Sequence, residues 1–184
     1  VKYLVDRLEP DYLIASIESN DFLVNSPEDW NAFKVLMGNV RFRLKQEFPD
    51  LPISESITLH NYYEVQVEDP DAFVAEVSQL ISEMDFAAIS FYPFFKNLTD
   101  AADFQEAFDF LHAEVDLPIA FVETNHLAED LLIPALNVDI PGDPCGQKAY
   151  LESLLLNARD QNYEFVIWWA HRDYDALWGT FPEE

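Results

Sequence analysis

Two rhythms of apolar and polar positions alternate along the 184 residues. Short apolar runs are followed by longer stretches in which apolar residues recur every three or four positions, the signatures of buried strands and amphipathic helices. A helical pattern over 1–10 carries Tyr3, Leu4, Val5 and Leu8 and stops at Pro10. Then come a strand over 12–19 (YLIASIES), a helix over 26–48 and a strand over 51–63. The helix at 26–48 has Ser26 as its expected N-cap and Pro27 at its first position. A helix over 69–85, a strand over 86–95, a helix over 100–116 and a strand over 117–126 follow. The stretch 127–146, with three prolines and two glycines, reads as loop, 147–162 as a helix and 163–171 as a last strand.

Strand and helix therefore alternate through five strands, the pattern of a parallel sheet with crossover helices. Two architectures fit it: a complete five-stranded α/β domain of unrelated function, or part of a (β/α)8 barrel. The doubly wound nucleotide-binding form expects a glycine-rich turn after its first strand, and the turn here, SNDFLVNSPE, contains none. The barrel form instead expects functional groups at the C-terminal tips of successive strands. Those tips carry Glu18; His60 and Asn61; Tyr92; Glu123, Asn125 and His126; and Trp168, Trp169 and His171. All five tips turn polar or aromatic after an apolar run, which favours the barrel. The expected fold class is α/β: a partial (β/α)8 TIM barrel, strands four to eight with their helices. Residues 1–184 would be one partial catalytic barrel domain with its N-terminal strands missing. The chain begins at Val1 inside a helical pattern, as a sequence cut from a longer one would. Alone, such a piece should be marginal, because its outer strands are unpaired edges.

Charge narrows the partners. The net charge of −25 repels phosphate backbones and anionic membranes, and it is compatible with a neutral polysaccharide. The single cysteine, Cys145, closes no disulfide within the chain and belongs to no CxxC pair. A GxSxG nucleophile elbow is absent. His60, His126 and His171 raise a metal reading, but metal-dependent barrel hydrolases place histidine on strand six, where this chain has Tyr92. Neither a metal nor a cofactor is expected.

Glu18 and Glu123 end strands four and seven. Two carboxyl groups on one barrel mouth are what a retaining glycosidase needs, one to protonate the leaving oxygen and one to attack the anomeric carbon. Simple strand alternation places Glu18 with Ile14 and Ser16, and Glu123 with Ile119 and Phe121.

With ISFYPFF at the sixth strand, FVETNH at the seventh and FVIWW at the eighth, the sequence resembles the C-terminal part of a clan A glycoside hydrolase barrel. It is most similar to the family 53 endo-β-1,4-galactanases, with their SYYPF-like and VETA-like strands. The resemblance implies Glu123 as nucleophile, Glu18 as acid/base and Tyr92 as the hydroxyl bonded to the nucleophile. It implies Trp168 or Trp169 as the platform under the sugar, with His60, Asn61 and Asn125 also binding substrate. It implies a carbohydrate substrate and a secreted or periplasmic protein. One position departs from the clan: Ile17 stands where an asparagine before the acid/base residue binds the sugar 2-OH, and Asn20 is the nearest replacement. The departure raises the alternative of a catalytically inactive glycan-binding homologue.

Overall fold

A computed structural model describes residues 1–134 and 137–169. Helix α1 (Lys2–Leu8) leads into strand β1 (Leu13–Ile14), α2 (Ser19–Asn25) and α3 (Trp30–Glu47). Strands β2 (Ile53–Ser54) and β3 (Ser56–Thr58) are two parts of one run, interrupted at Glu55. Next come α4 (Pro70–Ser82), β4 (Ala87–Phe91), α5 (Ala101–Glu114) and β5 (Ile119–Thr124). A hairpin of β6 (Leu131–Ile133) and β7 (Val138–Ile140) precedes α6 (Pro144–Asp160) and β8 (Val166–Trp168).

The sheet is parallel and its order is sequential. β1 pairs with β2, and the main sheet runs β3–β4–β5–β8. Successive strands of the main sheet therefore lie side by side, with α4, α5 and α6 in the three connections between them. One face of the sheet carries the large side chains Ile57, Ile89, Phe91 and Phe121. Onto that same face pack Phe73, Val77 and Leu80 of α4, Phe104 and Phe108 of α5, and Tyr150 and Leu154 of α6. Each such side chain contributes about 1.5–3 kcal/mol of burial. The opposite face is lined by small residues, Ala88 and Ala120, with Phe86, Tyr12, Ile14, Val122 and Phe165 around them. A doubly wound sheet would carry helices on both faces; here α4, α5 and α6 share one.

Three of the helix starts are capped by aspartate. Asp69 accepts from Ala72 N–H, Asp100 from Ala102 and Asp103, and Asp143 from Gly146. The Asp143 cap starts α6 at Pro144, ahead of the expected 147. Ser26 makes no such side-chain bond: a single 3-10 turn over Pro27–Asp29 intervenes, and α3 starts at Trp30. The stretch read as loop contains the β6–β7 hairpin. At its stem Gly142 is required by close approach, since a Cβ there would overlap the backbone of Glu129.

The expected strand over 12–19 is the largest departure. Only Leu13 and Ile14 pair as strand, on the outer side of β2, and both are half-buried. Glu18 then takes a left-handed conformation, φ 50° and ψ 48°, which ends the extended run and starts α2. That backbone costs about 1–2 kcal/mol for a residue with a Cβ. Three side-chain interactions with residues 55–58 hold it. Glu18 N–H donates to Ser56 Oγ (2.7 Å), Ser19 Oγ donates to Glu55 Oε2 (3.1 Å), and Asn20 bonds both backbone groups of Thr58 (2.7 and 3.0 Å).

Glu55 is itself fully buried and pairs with Arg41 of α3, whose guanidinium also reaches Glu83 (2.8 Å). Burial pushes the Glu55 carboxyl above the usual glutamate range, and the Arg41 guanidinium pulls against it. Removing one member of a buried pair strands the other charge and costs about 3–5 kcal/mol, whereas an exposed pair contributes about 0–1 kcal/mol. Urea unfolding is expected to show a loss of about 3 kcal/mol in Arg41→Ala. Lys148→Ala, which breaks the exposed Lys148–Glu152 pair, should change stability by about 0.5 kcal/mol or less. Equal effects in the two variants would contradict a structural role for the Arg41–Glu55 pair.

Candidate active site

Glu123 owes its direction to an irregularity in β5. Ile89 of β4 pairs with Phe121, and the next residue, Ser90, pairs with Glu123, so Val122 is skipped. The same extra residue shows against β8, where Phe121 pairs with Val166 and Thr124 with Trp168. This is a β-bulge. It ends the alternation that would have put Glu123 with Phe121 on the helix-packed face. Phe121 and Thr124 face the helices, while Val122 and Glu123 share the side of Ala120. Thr124 secures the turn-over: its buried hydroxyl donates to Phe91 O (2.7 Å) and contacts the Tyr150 hydroxyl.

Glu18 and Glu123 meet across β4. Ser90 Oγ donates to Glu18 Oε1 (2.6 Å), and the Tyr92 hydroxyl donates to Glu123 Oε1. Burial raises the pKa of the half-buried Glu18 carboxyl above its ordinary value. The bond from Ser90 opposes that shift, and the negative charges of Asp21 and Glu123 add to it. Burial, then the bond to Glu123, holds the Tyr92 hydroxyl protonated well above the usual tyrosine range. The site thus presents two carboxyl groups, each with its own hydroxyl donor.

The other expected site residues divide. His60 is nearly buried, and Tyr92 N–H donates to its Nδ1 (3.4 Å). Burial lowers its pKa to about 4, so it is neutral near pH 7 and can accept that bond. His60 and Asn61 line a cavity of about 430 Å³ together with the exposed Phe95 and the partly buried Lys96. Asn61 donates to Asp21 (2.8 Å). Asn125 turns back on the chain and accepts from His126 N–H (2.6 Å). His126 is buried among Phe94, Phe104 and Tyr150, away from the carboxylates. Trp168 packs on the helix side, 6.1 Å from the Tyr150 ring, so it is not an open platform. Trp169 is 49% exposed, and its N–H donates to Thr124 O (2.8 Å) beside Glu123. His171 lies outside the described residues. No group of three or more His, Cys, Asp or Glu among the described residues has the geometry to hold a metal ion.

Asn20 does not replace the missing asparagine. It is fully buried, and its amide is committed to Thr58, while Ile17 is 73% exposed and offers no hydrogen bond from its side chain. The reason is the left-handed turn at Glu18, which rotates the following residues into α2 and onto β3. Sequence reasoning also passed over Ser90, Ser56 and Glu55. The available signal was chemical: each is a polar residue inside a run buried throughout, and such groups require partners.

No family model matches the chain, and no curated protein matches it. Solved structures do. The GH53 catalytic domain of Ignisphaera aggregans superposes with a TM-score of 0.60 at 19% identity, over 91% of this chain and 50% of that one. A β-glucosidase from Exiguobacterium marinum gives 0.59 at 17% identity, over 92% and 57%. A GH113 β-1,4-mannanase gives 0.52 at 12% identity, over 90% and 47%. The chain spans about half the length of these structures. At these identities the likeness is one of fold, and the structures that share it are glycoside hydrolases, a GH53 catalytic domain among them.

Proposed function

We propose that the chain is part of a (β/α)8 barrel and that the complete protein is a retaining glycoside hydrolase acting on a β-linked polysaccharide. The sequential parallel order and the helices on one face support the barrel. So do the uncovered apolar side chains of α1 and α3, where Tyr3 and Val35 are 69% and 66% exposed. The observation that carries the function is the convergence of Glu18 and Glu123 over β4, each bonded to a separate hydroxyl.

In this reading Glu18 is the acid/base and Glu123 the nucleophile. Glu18 gives its proton to the glycosidic oxygen as the bond from that oxygen to the anomeric carbon breaks. A Glu123 oxygen forms the new bond to the same carbon. Water then attacks that carbon, passes a proton to Glu18 and releases Glu123 as carboxylate. Burial favours the protonated form of Glu18, which suits the first step. Tyr92 fixes the direction of Glu123. The −25 charge fits a neutral glycan better than an anionic one. A β-1,4-galactan is the first substrate to try, on the family 53 likeness of the strand motifs.

Ile17 and Asn20 favour a second reading, a glycan-binding relative with little or no turnover. Without an amide at that place the site lacks a bond to the sugar 2-OH that strengthens in the transition state. Hydrolysis of aryl β-glycosides by the complete protein separates the two readings.

If the first holds, Glu123→Gln lowers kcat by on the order of a thousandfold. Unaltered turnover in that variant would end the assignment. The pH profile of kcat/KM gives a second test. Because the folded Glu18 carboxyl stays protonated above its ordinary range, activity should persist above pH ~4.5 and fall as pH rises through the raised value. Glu18→Gln should abolish that alkaline limb, and its persistence would exclude Glu18 as the acid.

A further inference from the structure

β4 and the residue that follows it each offer a hydroxyl to one of the two carboxyl groups. Tyr92 donates to Glu123 Oε1, and Ser90 donates to Glu18 Oε1 at 2.6 Å. The motif resemblance accounts for Tyr92 and leaves Ser90 without a role. Ser90 is 1% exposed, in a strand whose five residues are all buried. A hydroxyl in that place needs a partner, and Glu18 Oε1 is the one it has.

We propose that Ser90 is a positioning residue for Glu18: its hydroxyl ties down Oε1 and leaves Oε2 as the oxygen that exchanges a proton with the substrate. The proposal rests on the reading of Glu18 as acid/base. Its physical basis is the softness of a glutamate's last torsion, which has broad wells and is readily set by one strong bond. The Glu18 backbone is fixed independently, by Ser56 of β3 through the Glu18 N–H. Head group and backbone are thus held from two different strands. Tyr92 treats Glu123 in the same way, so each carboxylate engages one oxygen among the described residues and presents the other.

The charged and titratable groups facing Glu18 are Asp21 of α2, Glu123 of β5 and Tyr92, which follows β4. β3 contributes the uncharged Ser56. Asp21 and Glu123 both push the Glu18 carboxyl toward its protonated form, as burial does. The donated bond from Ser90 favours the ionised form and opposes all three. Removing it must therefore raise the midpoint of Glu18.

The test is a carboxyl 13C NMR titration of the protein labelled at glutamate, with the Glu18 signal assigned by its loss in Glu18→Gln. Ser90→Ala is expected to raise the Glu18 midpoint by about one pH unit and to carry the alkaline limb of kcat/KM upward with it. Ser90→Thr keeps the hydroxyl and should remain close to wild type. An unmoved midpoint in folded Ser90→Ala overturns the proposal. If that variant does not fold, Ser90→Cys replaces the hydroxyl by a weaker donor of similar size. An upward shift there supports the proposal, and no shift overturns it. The titration needs no substrate, so it separates the two claims: a wild-type protein without turnover defeats the hydrolase reading, while turnover with an unmoved midpoint defeats the role of Ser90.

Discussion

The skipped residue in β5 is the constraint on which the site depends. Without it, Glu123 would project with Phe121 into the packing of α5 and α6. A carboxylate there would have no compensating charge among Phe108, Leu111 and Tyr150, and its desolvation would cost several kcal/mol. The bulge lets one strand satisfy two demands. Phe121 and Thr124 stay in the core, and Glu123 comes out on the other face, level with Ser90. The buried contacts from Thr124 to Phe91 and Tyr150 keep the irregular register in place.

Around that point the structure shows a division of labour between strands. β3 holds residues 18–20, Ser56 through the Glu18 backbone N–H and Thr58 through the Asn20 side-chain amide, and Glu55 just before it takes the Ser19 hydroxyl. Ser90 of β4 and Tyr92 just after it hold the head groups. The left-handed turn at Glu18 is unfavourable taken alone, and it persists because its surroundings over-determine it. The buried Arg41–Glu55 pair belongs to the same system, since Glu55 accepts from both Arg41 and Ser19. Stability and site geometry are linked there through a single carboxylate.

Much of this was legible in the sequence, and the failures share a cause. Period and turn chemistry gave the order of strands and helices from α3 onward, because each core face is apolar enough to be read. Glu18 and Glu123 stood out because a carboxylate after an apolar run is conspicuous. Alternation then failed at both: β5 inserts a residue, and the segment before Glu18 pairs for two residues only and turns left-handed. Neither event leaves a trace in hydrophobic period, since bulges and left-handed residues depend on long-range partners. Asn20 was misread for the same reason, its partner Thr58 being distant in the chain. Of Trp168 and Trp169, the two alternatives for a sugar platform, Trp168 is partly buried and packs with Val166 against the helix-side core, while Trp169 is exposed. The β6–β7 hairpin was hidden by the prolines and glycines that flank it.

The claim beneath this account is that Glu123 attacks sugar. The most direct measurement is to trap that bond in the complete protein. A 2-deoxy-2-fluoro glycosyl fluoride of whichever β-sugar it hydrolyses would be the reagent, followed by mass spectrometry of the labelled peptide. The account predicts one fluorosugar per chain, on the carboxylate of Glu123 in the peptide containing FVETNH. Label on another residue, or hydrolysis of the natural glycan with inversion at the anomeric carbon, would contradict it.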